Sequence, residues 1–389
     1  MNNLKIAIVL GAKFPSTKAY SVTTRETLNV LLGLNCDVKV FCQRSGYSDS
    51  DFRFFLKSIS NFSVSTFSQS LIKVSEMMPK RIRQITWNLG IVLMLVSNID
   101  KIKRFNPDVI WVRDALVGIV IKFFMPKTKM ICEIHSTNSK LIYKMLFKFE
   151  SKPYCFAINL KNLLFIKSLS KSSKTFLAPM SIRSSYQPDK IEIGDFVSRI
   201  QKKSTRLRIG YVGNFSPQGY SKGIEDLIDL AKVYKQEGSK HSIVLIGATS
   251  LEKKILTNRI NQLGLSSKNI EIKCHMSHTK ALENMKKLDV CVLPMPKINS
   301  NYSGMPLKLL EYLAAGRITV IADSIIIKEI LFKSYSPYYY NLGNASSLKL
   351  AIERALSDKK LKSRIAKGVE FASKFTWEER TKNILKQLS

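Results

Sequence analysis

The chain has 389 residues, 45% of them hydrophobic, 10% aromatic and 23% charged, a balance that fits a globular protein and excludes a disordered or fibrous one. Its 62 Lys and Arg against 29 Asp and Glu leave a formal charge of +33. Residues 1–206 hold 33 basic and 13 acidic side chains and residues 207–389 hold 29 and 16, which rules out a single basic tail. At roughly 150 residues per domain, two domains are expected. A positive field of this extent favours anionic partners: nucleic acid, a phospholipid surface or a phosphorylated small molecule. Because 46 of the 62 basic residues are Lys, coding bias alone would also produce much of the excess.

In chain order, Leu4 to Leu10 is an apolar run of strand length ending at Gly11, with a polar loop expected over 12–22. Thr23-Thr24-Arg25-Glu26 then matches a capping box ahead of Leu28, Leu31 and Leu32. Asp37–Phe41, Asp108–Val112 and Lys129–His135 read as further buried strands, the beginning of a parallel doubly wound sheet. After a polar stretch from Arg183 to Arg206 a second cycle begins. Its strands are expected at Leu207–Gly213, His241–Gly247, Ile270–Cys274, Asp289–Pro294 and Ile318–Asp323, with helical patterns between them. The expected organisation is a first α/β domain over 1–185, a linker over 186–206, a second over 207–375 and a terminal helix over 376–389. Two facing Rossmann-like domains would place the functional cleft where the carboxyl ends of both sheets meet.

The six cysteines (36, 42, 132, 155, 274 and 291) form no C-x-x-C pair and sit mostly in apolar runs. They read as small buried hydrophobes in a reducing compartment. The first ten residues read as a strand and not a signal peptide. The longest apolar run, 85–96, contains Asn88 and is shorter than the roughly 20 residues that span a bilayer. The chain is therefore expected to be cytoplasmic.

Three segments can carry chemistry. In the first, Gly304 and Pro306 precede a helix that carries Lys308 in its first turn and Glu311 three residues on. Free N–H groups, a positive dipole end and a lysine suit an anion, and the carboxylate suits a pair of hydroxyls. An ordinary i,i+3 ion pair fits the same spacing. In the second, Gly213-Asn214-Phe215 follows a strand and leads to Ser221-Lys222-Gly223, which suits phosphate without the spacing of a P-loop. In the third, Glu133-Ile134-His135-Ser136 stands at the carboxyl end of a strand, where α/β proteins place reactive groups, although a lone histidine there is more often structural.

Taken together, Val212-Gly213, Lys222-Gly223-Ile224, Asp289 to Pro294, and Pro306-x-Lys308-x-x-Glu311-Tyr312-x-Ala314-x-Gly316 resemble the carboxyl domain of the retaining glycosyltransferases of GT-B architecture, glycosyltransferase family four. Glu133-x-His135 and the opening strand-loop-helix, with Gly11, extend the likeness into the amino half. Residues 375–380 resemble the family's helix that crosses back to the first domain. The resemblance implies a hexosyltransferase-like enzyme that moves a sugar from a nucleotide diphosphate sugar with retention and needs no metal or other cofactor. It casts Lys222 and Lys308 as the cations on the leaving diphosphate, with backbone N–H groups near Gly304, Met305 and Pro306. It casts Glu311 as the ribose carboxylate, Cys274-His275-Met276 as the loop beside the base, and His135 as a histidine near the transferred sugar and the acceptor. Two departures stand out. Ser303 occupies the position of the family's frequent first glutamate, and Asn214 that of its frequent phosphate-binding arginine, so a full charge is missing there.

On the acceptor side, Lys140 to Phe149 carries a lysine every four residues on an apolar background, and Lys80-Arg81-Ile82-Arg83 precedes the 85–96 run. Such segments can lie on an anionic bilayer, and core helices with solvated lysine edges produce the same pattern. The expected acceptor is a glycan or lipid-linked glycan in cell-surface polysaccharide or glycolipid assembly, with the enzyme peripheral on the inner face of the membrane. A nucleotide-sugar epimerase and a non-catalytic GT-B-like binding protein are the alternatives. No helix-turn-helix, zinc-finger or aromatic RNA-binding signature supports a specific nucleic-acid partner.

Overall fold

The structure is a computed structural model that describes residues 4–16, 19–44, 62–67, 79–137, 140–150, 153–183, 187–202, 205–216, 223–295, 307–323, 335 and 337–388. The described residues divide into two units: those up to Met180 together with the segment from Trp377 onward, and those from Ser181 to Thr376.

In the first unit the elements run β1 (Lys5–Phe14), α1 (Ala19–Gly33), β2 (Asp37–Arg44), β3 (Phe62–Phe67), α2 (Lys80–Val96), α3 (Ile99–Phe105), β4 (Val109–Val112), α4 (Ala115–Phe124), β5 (Lys129–Ile134), α5 (Lys140–Phe149), β6 (Tyr154–Ala157), α6 (Leu160–Leu169) and β7 (Lys174–Leu177). The sheet is parallel, in the order β3-β2-β1-β4-β5-β6-β7. Both of its faces are covered, which is why its central strands read as unbroken apolar runs. Along β1, Ala7 and Val9 face a layer built from α2 to α6, through Ile91, Ile102, Val117 and Leu146. Ile6, Ile8 and Leu10 face the other way, toward Leu28 and Leu31 of α1 and Ile384 and Leu385 of the chain's last helix.

The first unit departs from two local expectations. The strand does not stop at Gly11: β1 continues to Phe14 through an irregularity between Val9 and Lys13. The helix begins at Ala19, so Thr23 and Thr24 are interior and cap nothing. Their hydroxyls donate back to Tyr20 O at 2.8 and 2.9 Å, the local bonding that Thr offers inside a helix.

The second unit runs α7 (Lys190–Ile200), β8 (Arg208–Val212), α8 (Glu225–Gln236), β9 (Ser242–Ala248), α9 (Ser250–Gln262), β10 (Ile270–Cys274), α10 (His278–Lys286), β11 (Val290–Leu293), α11 (Leu307–Ala314), β12 (Ile318–Ala322), β13 (Tyr338–Tyr340), α12 (Ala345–Ser357) and α13 (Leu361–Ser373). Its parallel sheet has the order β10-β9-β8-β11-β12-β13, the 3-2-1-4-5-6 winding of the Rossmann fold. The winding reverses between β8 and β11, so the carboxyl ends of those two strands form the switch point where ligands bind in such sheets. The stretch expected as a linker over 186–206 instead carries α7. Asp189 and Glu192 form a complete capping box, and Ile193, Phe196, Val197 and Ile200 bury one face. The final helix, α14 (Trp377–Lys386), groups with the first unit.

Candidate active site

At the end of β8 the chain turns at Gly213, whose N–H donates to Ile246 O at 2.8 Å. A Cβ there would stand 2.7 Å from Tyr211 Oη, and one on Gly247 would stand 2.3 Å from Gly213 O. The loop after β8 and the end of β9 therefore lie backbone to backbone, an approach that only glycine allows. Helix α11 is fixed against the same place by buried Tyr312, whose hydroxyl accepts from Val212 N at 3.0 Å. One turn earlier on that face stands Lys308, with its Cε 3.4 Å from where a Gly213 Cβ would be.

Lys308 Nζ donates to Glu311 Oε2 at 2.7 Å, and His278 Nε2 lies 3.1 Å from Glu311 Oε1. A carboxylate only accepts, so the His278 tautomer that fits carries its proton on Nε2. Nδ1 of His278 is buried with no hydrogen-bond partner among the described residues. Burial alone would raise the Glu311 pKa; Lys308 and then His278 reverse that and hold it at about 2. The result is a permanently ionised, two-oxygen acceptor bound to a lysine that is about a quarter exposed (26%).

The other expected residues separate into three groups. Lys222, Ser303, Gly304, Met305 and Pro306 lie outside the described residues. Asn214 is exposed beside Gly213, and its carbonyl accepts from Tyr211 Oη at 3.1 Å. Cys274 ends β10 and His275 and Met276 follow it, where His275 N donates to Ala248 O at 2.8 Å and Met276 Sδ accepts from Asn284 Nδ2 at 3.5 Å. The histidine that meets Glu311 is not His275 but His278, at the start of α10. Its one sequence signal is Ser277 ahead of it, which caps α10 by accepting from Lys280 N.

In the first unit, His135 follows β5 and belongs to a buried charge cluster. Its Nε2 lies 2.9 Å from Glu133 Oε2, and its Nδ1 lies 3.3 Å from Arg113 Nη2. Arg380 of α14 reaches the other Glu133 oxygen, with Nη1 at 2.9 Å from Oε1. Burial would raise the Glu133 pKa, but Arg380, the His135 hydrogen bond and Arg113 hold it well below the usual range. Burial, reinforced by Arg113 against the pull of Glu133, lowers His135 to about 4. The ring is therefore neutral near pH 7 and is held between the Glu133 carboxylate and the Arg113 guanidinium, whose Nε also lies 3.1 Å from Nε2. Arg113, at the carboxyl end of β4, also donates to Tyr20 O at 2.8 Å and to Thr23 Oγ1, tying the cluster to α1. Sequence reading missed Arg113 and Arg380; the strand-end position of the first was its one signal. Gly11 has a packing task in the bulged end of β1. A Cβ there would press at 3.2 Å on both Ile91 and Val117, and its carbonyl accepts from Gln43 Nε2 at 2.7 Å. Among the described residues, no group of three or more His, Cys, Asp or Glu side chains comes together in a way that could hold a metal ion.

Residues 195–370 match the family model described as "Glycosyl transferases group 1". No curated protein sequence matches the chain significantly. Sucrose-phosphate synthase from Thermosynechococcus elongatus superposes with a TM-score of 0.70 at 14% identity, over 99% of this chain and 98% of that one. A glycosyltransferase from Rickettsia africae gives 0.69 at 14% identity, over 100% and 98%. Anabaena HepE, in a complex with UDP-glucose, gives 0.63 at 13% identity, over 99% of both chains. The two-sheet α/β fold is thus that of GT-B glycosyltransferases, and the match to the group 1 model lies within the second unit.

Proposed function

We propose that this chain transfers a sugar from a nucleoside diphosphate sugar to a glycan or lipid-linked glycan, with retention at the anomeric carbon. The observation that carries the reading is the Lys308–Glu311–His278 set against the Gly213 turn, at the switch point of a glycosyl transferase group 1 domain. Glu311, held ionised by its two neighbours, is suited to accept from both hydroxyls of a nucleoside ribose. His278 fixes one of its oxygens, and Lys308 stands where its ammonium can turn from Glu311 to the diphosphate. As the glycosidic bond breaks, negative charge grows on the leaving diphosphate, and a fixed cation that meets it there lowers the barrier. Lys222 is assigned the same task from the other loop, so that fixed charge does what a bound metal does in other transferases. In the first unit, Glu133 and Arg113 hold the neutral His135 ring in place, as required of a group that orients a sugar or acceptor hydroxyl.

The test begins with a thermal-shift screen of nucleoside diphosphates, starting with UDP because HepE is described with UDP-glucose. A binder at 100 times its Kd adds ~2.7 kcal/mol of stability. With the donor so identified, Lys308→Ala should lower turnover by roughly 10²–10³, equivalent to ~2.7–4 kcal/mol. Glu311→Ala should raise the Kd for the nucleotide with the second unit still folded. Unchanged turnover and nucleotide binding in both variants would exclude the assignment.

A further inference from the structure

The helices α2, α4, α5 and α6 cover one face of the first sheet and bury an apolar side against it. Their outward sides are apolar as well. Along α2, Ile82, Ile85, Leu89, Leu93 and Val96 recur every three or four residues and are 41–69% exposed. That spacing keeps them on one stripe. Along α5, Leu141, Met145 and Phe149 recur every four, and Phe123 at the end of α4 meets the Phe149 ring edge-on at 6.3 Å. With two leucines of α6, these four helices hold eleven of the seventeen exposed large hydrophobic side chains among the described residues. Single exposed apolar residues need no explanation, but a concentration on one helical layer does.

The same four helices contain nine Lys and Arg and no Asp or Glu. Lys122 is turned inward, onto Glu150 and the carbonyls of Pro126 and Thr128. Lys140, Lys144 and Lys148 are exposed, each beside one of the exposed apolar residues of α5. We propose that this face seats on the surface of an anionic phospholipid bilayer, with the apolar stripes in the acyl boundary and the lysines among the headgroups. A second copy of the chain would bring like charges together across a two-fold interface. Nucleic acid would leave the apolar stripes in water. Only a surface that is both apolar and anionic satisfies both features. Among the described residues no single helix is long and apolar enough to cross a membrane; the bent pair Ile85–Val96 and Ile99–Phe105 passes by length and composition, but Ile91, Leu95, Ile99 and Ile102 bury its inner side in the core against the sheet.

The experiment is co-sedimentation of the full chain with phosphatidylcholine vesicles, with and without phosphatidylglycerol, read without turnover so that it stands apart from the sugar-transfer reading. Binding is expected with phosphatidylglycerol and absent or much weaker without it. Each lysine near the surface contributes about fivefold, the equivalent of ~1 kcal/mol. The triple variant Lys140→Ala, Lys144→Ala, Lys148→Ala should therefore lose about a hundredfold in partitioning. Leu141→Ser with Met145→Ser should abolish the part of binding that survives high salt. All five positions are exposed, so thermal midpoints should stay near wild type and confirm that the fold is intact. Equal partitioning onto both vesicle types, or wild-type partitioning by the lysine variant, would overturn the proposal. A dimer dissociated by Leu141→Glu would assign the face to a second copy and equally overturn it.

Discussion

Glu311 is an acid that burial works to neutralise and two neighbours keep ionised. Its pKa falls from 4.5 to about 2 on folding, so the unfolded chain binds this proton first as pH drops. The stability that Glu311 contributes is complete above about pH 5 and is lost as pH falls through 2, in total about 3 kcal/mol at 1.36 kcal/mol per unit. Glu311→Gln removes that titration together with the charge that Lys308 and His278 meet. The gap in thermal midpoint between wild type and Glu311→Gln should be widest at pH 5–7 and shrink steadily toward pH 2; a gap independent of pH would place the carboxylate's stabilisation elsewhere. The pairing of Lys308 with Glu311 was legible in the sequence, because i,i+3 on a helix fixes their proximity. His278 was not, because it reaches Glu311 from a helix 33 residues away, and only the β10–β9–β8 winding brings it there. The nearby His275 shares its segment, yet its amide goes to Ala248 at the end of β9.

At the scale of elements, the strands were the most legible part, since a parallel sheet covered on both faces leaves unbroken apolar runs. Helix starts were less so. Thr23-Thr24-Arg25-Glu26 has the letters of a capping box, but α1 begins a turn earlier and the threonines bond back to Tyr20. The real box, Asp189 to Glu192, lay in a charged stretch that composition suggested was a linker, although the spacing of Ile193, Phe196, Val197 and Ile200 marks a buried helix face. Which charge α14 meets could not be read from its own sequence either. Its Arg380 is 6% exposed, donates to Pro179 O at 3.0 Å and pairs with Glu133, 247 positions earlier. Removing one partner of a buried pair leaves an uncompensated charge, a loss of about 3–5 kcal/mol. Arg380→Met, which keeps much of the apolar stem, should lower the first unit's stability by that amount in urea unfolding of the full chain. Lys382→Gln, at an exposed position of the same helix, serves as the control and should change stability by less than about 1 kcal/mol.

Across the whole molecule, the +33 charge has at least two separable consequences, one local and one distributed. Lys308 sits against Glu311 at the site, so its contribution to a bound diphosphate is short-ranged and is expressed after docking. The remaining excess, spread over both halves of the sequence, acts earlier by drawing anions from a distance, and salt screens it over a Debye length of about 8–10 Å. Stopped-flow binding of a nucleoside diphosphate should separate the two. The association rate should fall by roughly tenfold or more from low to physiological salt, within the range that electrostatic steering spans. The dissociation rate should change much less. Lys308→Ala should show the opposite signature, a faster dissociation with a nearly unchanged salt dependence of association. Reversing exposed lysines at the amino ends of the strands, opposite the switch point, such as Lys240 ahead of β9 and Lys268 ahead of β10, should flatten that salt dependence and leave dissociation alone. If association is insensitive to salt in the wild-type chain, the distributed lysines do not steer the nucleotide, and the charge that matters at the donor site reduces to the few cations built into it.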